Sequence, residues 1–194
     1  EQTQNEQRYL LSAPAIQQAL QGEITIERYR AFLTQAYHHV KHTTPLLMRC
    51  GSKLSFRDEW LRKAVIEYIN EEYGHERWIL NDIKAAGGDV EVAQSSEPHT
   101  STQAMVSLVY QAIDNEHPAA FFGMAHVLEG TSVKLATQAA GKIKDALQLP
   151  DSAFSYLLSH GDLDQEHVQF FEQLMNQVTD EQAKEVIVRT AKHV

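Results

Sequence analysis

Apolar residues recur at a spacing near 3.6 along almost all of the 194-residue chain, and no segment sustains the two-residue alternation of a strand. That pattern dictates amphipathic helices, each with one stripe turned inward, and so an all-α bundle. Turn residues divide it into about seven helices. The first is expected over roughly 4–21 with a break near Gly22, and the second starts at a Thr25 cap and runs through "AYHHVKHTTPLL". The third is expected over about 55–86, stopped by "AGGD". Residues 87–101 read as the one long loop, and further helices follow at about 101–114, 118–147, 151–178 and 179–193.

The stripes are not purely apolar. In "SHGDLDQEHVQFF" the residues His160, Asp164 and His167 stand at i, i+4 and i+7. At ~100° per residue, Asp164 lies about 40° to one side of His160 and His167 about 20° to the other. Tyr156, Leu157, Phe171 and Leu174 share that arc, while Gln165, Glu166, Gln169 and Gln173 face away. Glu72 and His75, three apart, lie with Tyr68 and Ile79 on the third helix. Glu129 falls on the stripe of Phe122, Ala125, Val133 and Ala136. His39 stands nearest the stripe of the second helix, with His38 and His42 leaning toward solvent.

Each of these positions has an ordinary explanation when taken alone. Glu72 and His75 can be a hydrogen-bonded pair, Glu129 a buried carboxylate with a basic partner, and His39 a satisfied core histidine. Together they are harder to explain, because unpaired buried charge is costly. Carboxylates and imidazoles facing inward from several helices are the ligand types that hold iron or manganese in bundles. Glu72, Glu129 and Asp164 bring three negative charges, which two divalent ions would offset.

Composition bounds the rest. At 43% hydrophobic content the chain can build one substantial core, expected as a single domain over 1–194. A net charge of −9 argues against nucleic-acid binding. No apolar run approaches the ~20 residues of a membrane span, and no signal-peptide pattern is read at the start. Cys50 is the single cysteine and cannot form an internal disulfide, which suits a cytoplasmic location.

His75, Glu129 and the run His160-x3-Asp164-x2-His167, together with their separations along the chain, resemble the haem-oxygenase-like diiron oxidases and oxygenases. These are iron-containing redox enzymes that share the fold of thiaminase II-like and pyrroloquinoline-quinone-synthase-like proteins. The likeness covers about 25–178, and its last motif is the most specific part. It implies a haem-oxygenase-like bundle and a metal set of Glu72, His75, Glu129, His160, Asp164 and His167. A further ligand would be His39, or His42 in its place. Two ferrous ions are implied, with manganese an alternative and no haem. Some relatives carry the first Glu further upstream, where this chain has Tyr68. Proteins of this fold often form homodimers, which leaves the oligomeric state of this chain open.

The resulting expectation is a non-haem, dinuclear iron enzyme that activates dioxygen to oxidise a small organic substrate. Tyr68, Phe122 and Tyr156 are candidates for the substrate pocket. No Lys or Arg stands on the site-facing stripes to anchor a carboxylate. Two other readings stay open: a metal-free hydrolase or cofactor-less oxidase of the same fold, and a non-enzymatic ligand- or metal-binding protein. Thiaminase II-like chemistry needs a nucleophilic cysteine, and Cys50 reads as a core thiol.

Overall fold

The structure, a computed structural model, describes residues 2–194, apart from the side chains of 132–134 and 160–169. Among the described residues there are eleven α-helices and no strand. The all-α expectation therefore holds, and the higher count has a local cause at each place. Pro14 starts a new helix, so the first expected element is α1 (Gln4–Leu11) followed by α2 (Pro14–Gln21), which ends at Gly22 in the left-handed region. The second expected helix turns at Lys41 and His42 into α3 (Ile26–Val40) and α4 (Thr43–Lys53). The third divides into α5 (Glu59–Glu72) and α6 (His75–Ala85) because Gly74 adopts a φ of 94°, which no continuous α-helix allows. The expected loop contains α7 (Val90–Ser95), started by the Asp89 carboxylate, which accepts from Glu91 N and Val92 N.

The remaining helices are α8 (Thr100–Asn115), α9 (Phe121–Leu147), α10 (Ser155–Gln177) and α11 (Glu181–His193). Thr25 caps α3 as its sequence suggests, its side chain accepting from Arg28 N. The start of α10 departs from expectation. Asp151 belongs to a short 3-10 turn, and the cap is supplied from α6. There the fully buried Asp82 carboxylate accepts from Ser155 N at 3.0 Å, from Tyr156 N at 2.8 Å and from the Ser155 hydroxyl.

Helix α9 is the axis of the fold and packs against α10, α11 and α2. The buried apolar side chains form two clusters rather than one. The first gathers Leu47, Tyr68, Val109, Phe122, Ala125, Phe171 and Val186. The second gathers Tyr29, Leu33, Val40, Ile79, Ala136, Ile143 and Leu157. Along the chain, Glu72 and His75 fall between Tyr68 of the first cluster and Ile79 of the second. Glu129 falls between Ala125 and Ala136 in the same way, and positions 160–169 between Leu157 and Phe171. Among the described residues, Glu72, His75 and Glu129 thus mark a polar layer between the two cores, and α9 contributes to both cores. Among the described residues, no helix is long and apolar enough to cross a membrane.

Candidate functional site

The break at Tyr73–Gly74 builds one side of the polar layer. Glu72 is the last residue of α5 and His75 the first of α6. Even so, the turn brings His75 Nδ1 to 3.2 Å from Glu72 Oε2, with the two side chains only 4% and 12% exposed. The His75 ring also stacks on Trp78 with centroids 4.1 Å apart. Adjacent ligand atoms around an ion with ~2.1 Å bonds lie ~3 Å apart, so this spacing fits a shared metal. A carboxylate oxygen and an imidazole nitrogen are also donors that ferrous iron accepts.

Glu129 comes to the layer from α9. The Tyr68 hydroxyl donates to Glu129 Oε2 at 3.4 Å. Burial, then the carboxylates of Glu129, Glu71 and Glu72, push the Tyr68 phenol above its ordinary value. The hydroxyl therefore keeps its proton and sits among three negative groups. Sequence reading placed Tyr68 on this face but did not identify it as the partner of Glu129. The signal was available, since Tyr68 lies one turn before Glu72 on the same helix.

The second-helix histidines divide by environment. His39 Nδ1 lies 3.2 Å from Gln35 O, and donation there would place the ring's lone pair on Nε2, the atom suited to a metal. His42 Nδ1 instead meets the Tyr110 hydroxyl at 3.3 Å. His38 was expected toward solvent, but it is only 1% exposed and bonds the Ser96 hydroxyl beyond α7, a segment read from sequence as loop. His160, Asp164 and His167 belong to α10, but their side chains lie outside the described residues. Among the described residues, no group of three His, Cys, Asp or Glu side chains converges.

A cavity of about 690 Å³ opens beside the layer, walled by α2, α3, α9 and the start of α10. His39 and Tyr156 line it, with Phe32, Val127 and Leu128. Phe32 is 43% exposed and faces this space. Phe122 and Tyr68 are instead packed in the first apolar cluster, ring centroids 6.1 Å apart. Arg28 also lines the cavity, from the first turn of α3, eleven residues before His39. It lies just after the junction of α2 and α3 rather than on a core stripe, so no spacing pattern in the sequence marks it. On the other side of α9, Glu129 lines a groove of about 790 Å³ with His126, Gly130 and Phe171. Cys50 is fully buried in the first cluster, and burial pushes its thiol up to about 12. That is the reverse of what a nucleophile needs.

Several solved structures resemble the chain. A domain of unknown function with a haem oxygenase-like fold from Shewanella denitrificans is 22% identical, with a TM-score of 0.84, covering 98% of this chain and 82% of that one. A TenA homologue from Pseudomonas syringae is 13% identical, with a TM-score of 0.79 over 98% of this chain and 84% of its own. Another, from P. horikoshii, is also 13% identical, with a TM-score of 0.78 over 99% and 90%. At these identities the likeness shows the fold, which is haem oxygenase-like. No curated protein matches the chain in sequence. The family model described as iron-containing redox enzyme matches residues 30–194, and the chain belongs to that family.

Proposed function

We propose that this protein is a non-haem iron oxidase or oxygenase, with two ferrous ions in the polar layer, that uses dioxygen to oxidise a small, largely apolar substrate. One observation carries the reading: the buried Glu72–His75 pair, with donor atoms 3.2 Å apart, lies between two apolar cores in a member of an iron-containing redox family. Glu72, His75 and Glu129 would hold the ions, with His39 and with His160, Asp164 and His167 of α10. When bound, ferrous iron supplies the electrons that reduce dioxygen.

The chain's own residues do the rest. The Tyr68 hydroxyl, kept protonated, donates to Glu129 Oε2 and fixes the rotation of that carboxylate. The contact of His39 Nδ1 with Gln35 O holds its ring at the edge of the cavity. The aliphatic walls keep water from the reacting end of a bound substrate, which strengthens every polar interaction there.

The test is anaerobic loading with ferrous iron, followed by metal analysis and substrate-dependent oxygen consumption. Glu129→Gln should lose most of the iron and all of the oxygen uptake, while Asp145→Asn, on the exposed end of α9, should lose neither. Full activity in a chelated, iron-free sample would instead establish acid–base chemistry by the same buried groups.

A further inference from the structure

Trp78 meets the polar layer from the solvent side. Its indole stacks on the His75 ring, with centroids 4.1 Å apart and planes inclined by 26°. His75 is only 3% exposed, whereas Trp78, one turn further along α6, is partly exposed. The stack therefore joins a buried imidazole to the protein surface through one side chain. An indole can give up an electron before its N–H proton, because the fused ring delocalises the charge. A phenol must release its proton as it is oxidised. Tyr68, the phenol of the layer, is poorly suited to that step, because burial and the carboxylates of Glu129, Glu71 and Glu72 make it hold its proton tightly. It is also 1% exposed, so no soluble reductant could restore it. The other of the chain's two tryptophans, Trp60, precedes Glu72 by twelve residues on α5, about 18 Å at ~1.5 Å per residue.

We propose that Trp78 is a one-electron relay between iron held by His75 and a soluble reductant, of the ascorbate or thiol class, at the protein surface. This deepens the iron-oxygenase reading and rests on it. The electron count gives the relay its task. Dioxygen takes four electrons on its way to water. Two ferrous ions supply two, and a substrate oxidised by two electrons supplies the rest. When dioxygen reacts without substrate, two electrons are missing, and the oxidised centre must draw them from the protein around it. Trp78 supplies them one at a time. Its indole loses an electron across the stack to the oxidised centre and its N–H proton to solvent. The reductant then returns one electron and one proton to the indole, and a second round closes the count. Because the electron leaves from a side chain that solvent can reach, the damage does not settle on buried groups such as Tyr68 and Phe122.

The experiment has two readouts besides activity. In Trp60→Phe, where Trp78 is the one remaining tryptophan, anaerobic ferrous iron should quench the indole fluorescence as it binds. In Trp78→Phe the emission of the distant Trp60 should change little. The iron-loaded proteins are then mixed with oxygenated buffer in the absence of substrate, frozen rapidly and read by electron paramagnetic resonance, with signals compared per iron bound. The native protein and Trp60→Phe should show an organic radical whose spectrum narrows when the protein carries ring-deuterated tryptophan. Trp78→Phe keeps a ring against His75 but removes the oxidisable indole, so it should abolish that signal. Trp78→Tyr, whose proton can leave to solvent from this partly exposed position, should give a tyrosyl signal in its place. Ascorbate in the mixing buffer should erase the native signal. A tryptophan radical that persists in Trp78→Phe, one that ascorbate leaves standing, or no radical in native protein whose iron has been oxidised, would overturn the relay. In each of these cases quenching of Trp78 by iron would leave the iron reading intact. Iron that binds without quenching Trp78 would lie away from His75, and both readings would fall.

Discussion

The contact between Asp82 and the first residues of α10 ties the helix that begins with His75 to the helix that carries the His-x3-Asp-x2-His run. Replacing Asp82 by Asn tests how much that tie contributes. In the native protein one carboxylate oxygen accepts from Ser155 N and the Ser155 hydroxyl, and the other accepts from Tyr156 N at 2.8 Å. An Asn side chain can reproduce the first set, but its amide nitrogen then points at the Tyr156 N–H. One buried donor loses its acceptor, at a cost of about 1–3 kcal/mol, and the favourable charge at a helix start is lost, at about 0.3–1 kcal/mol. Relief from burying a full charge offsets part of this, because burial holds the Asp82 carboxyl above its ordinary value. A net loss of about 2 kcal/mol, at ~2–4 °C per kcal/mol for a chain of this size, lowers Tm by roughly 4–8 °C. Circular dichroism melting measures it, and amide exchange should locate the loosening at 155–158. The pH dependence has a definite sign. A folded-state value above the unfolded one means the native protein binds the proton more tightly, so this group's contribution falls as pH rises from about 3.8 through the raised value. Asp82→Asn should remove that slope. A Tm unchanged within about 1 °C would refute the reasoning, since each unsatisfied buried donor must cost more than that.

Other outcomes follow from single contacts. Cys50, with its thiol pushed up to about 12, should resist a thiol-specific reagent at pH 8 in the folded protein and react fully in denaturant. At Gly123 a Cβ would come within 2.4 Å of Ile187 O, so Gly123→Ala should force α9 and α11 apart and destabilise by several kcal/mol in a urea titration. Asp114, held down to about 2 by Arg49 and Lys53, contributes stability that is present above 3.8 and is lost as pH falls toward 2. Asp114→Asn should therefore flatten the acid limb of the stability curve.

The fold class was legible because it rests on the period of apolar residues, which survives local breaks. The breaks themselves were less legible. A helical wheel assumes continuous register, and nothing in "EEYGHER" but Gly74 announces that the helix stops and restarts there. Glu72 and His75 still meet because the turn covers the same three-residue gap. The burial of His38 could not be read, since its partner Ser96 follows a helix that six loop-like residues form only once Asp89 caps it. Asp82 as the cap of α10, and Arg28 on a cavity rim, depend on contacts between elements distant in sequence. No spacing rule reports them. Polar residues on the stripes of α5, α6 and α9 were legible, because a carboxylate facing a core requires an explanation from any single helix.

The claim that the polar layer holds iron is tested most directly by anomalous diffraction at the iron edge from crystals loaded anaerobically with ferrous ion. The account predicts a peak within ~2.0–2.3 Å of both His75 Nδ1 and Glu72 Oε2, absent from Glu72→Gln crystals treated in the same way. Peaks confined to surface histidines such as His99 and His193, with none between α5 and α6, would contradict it.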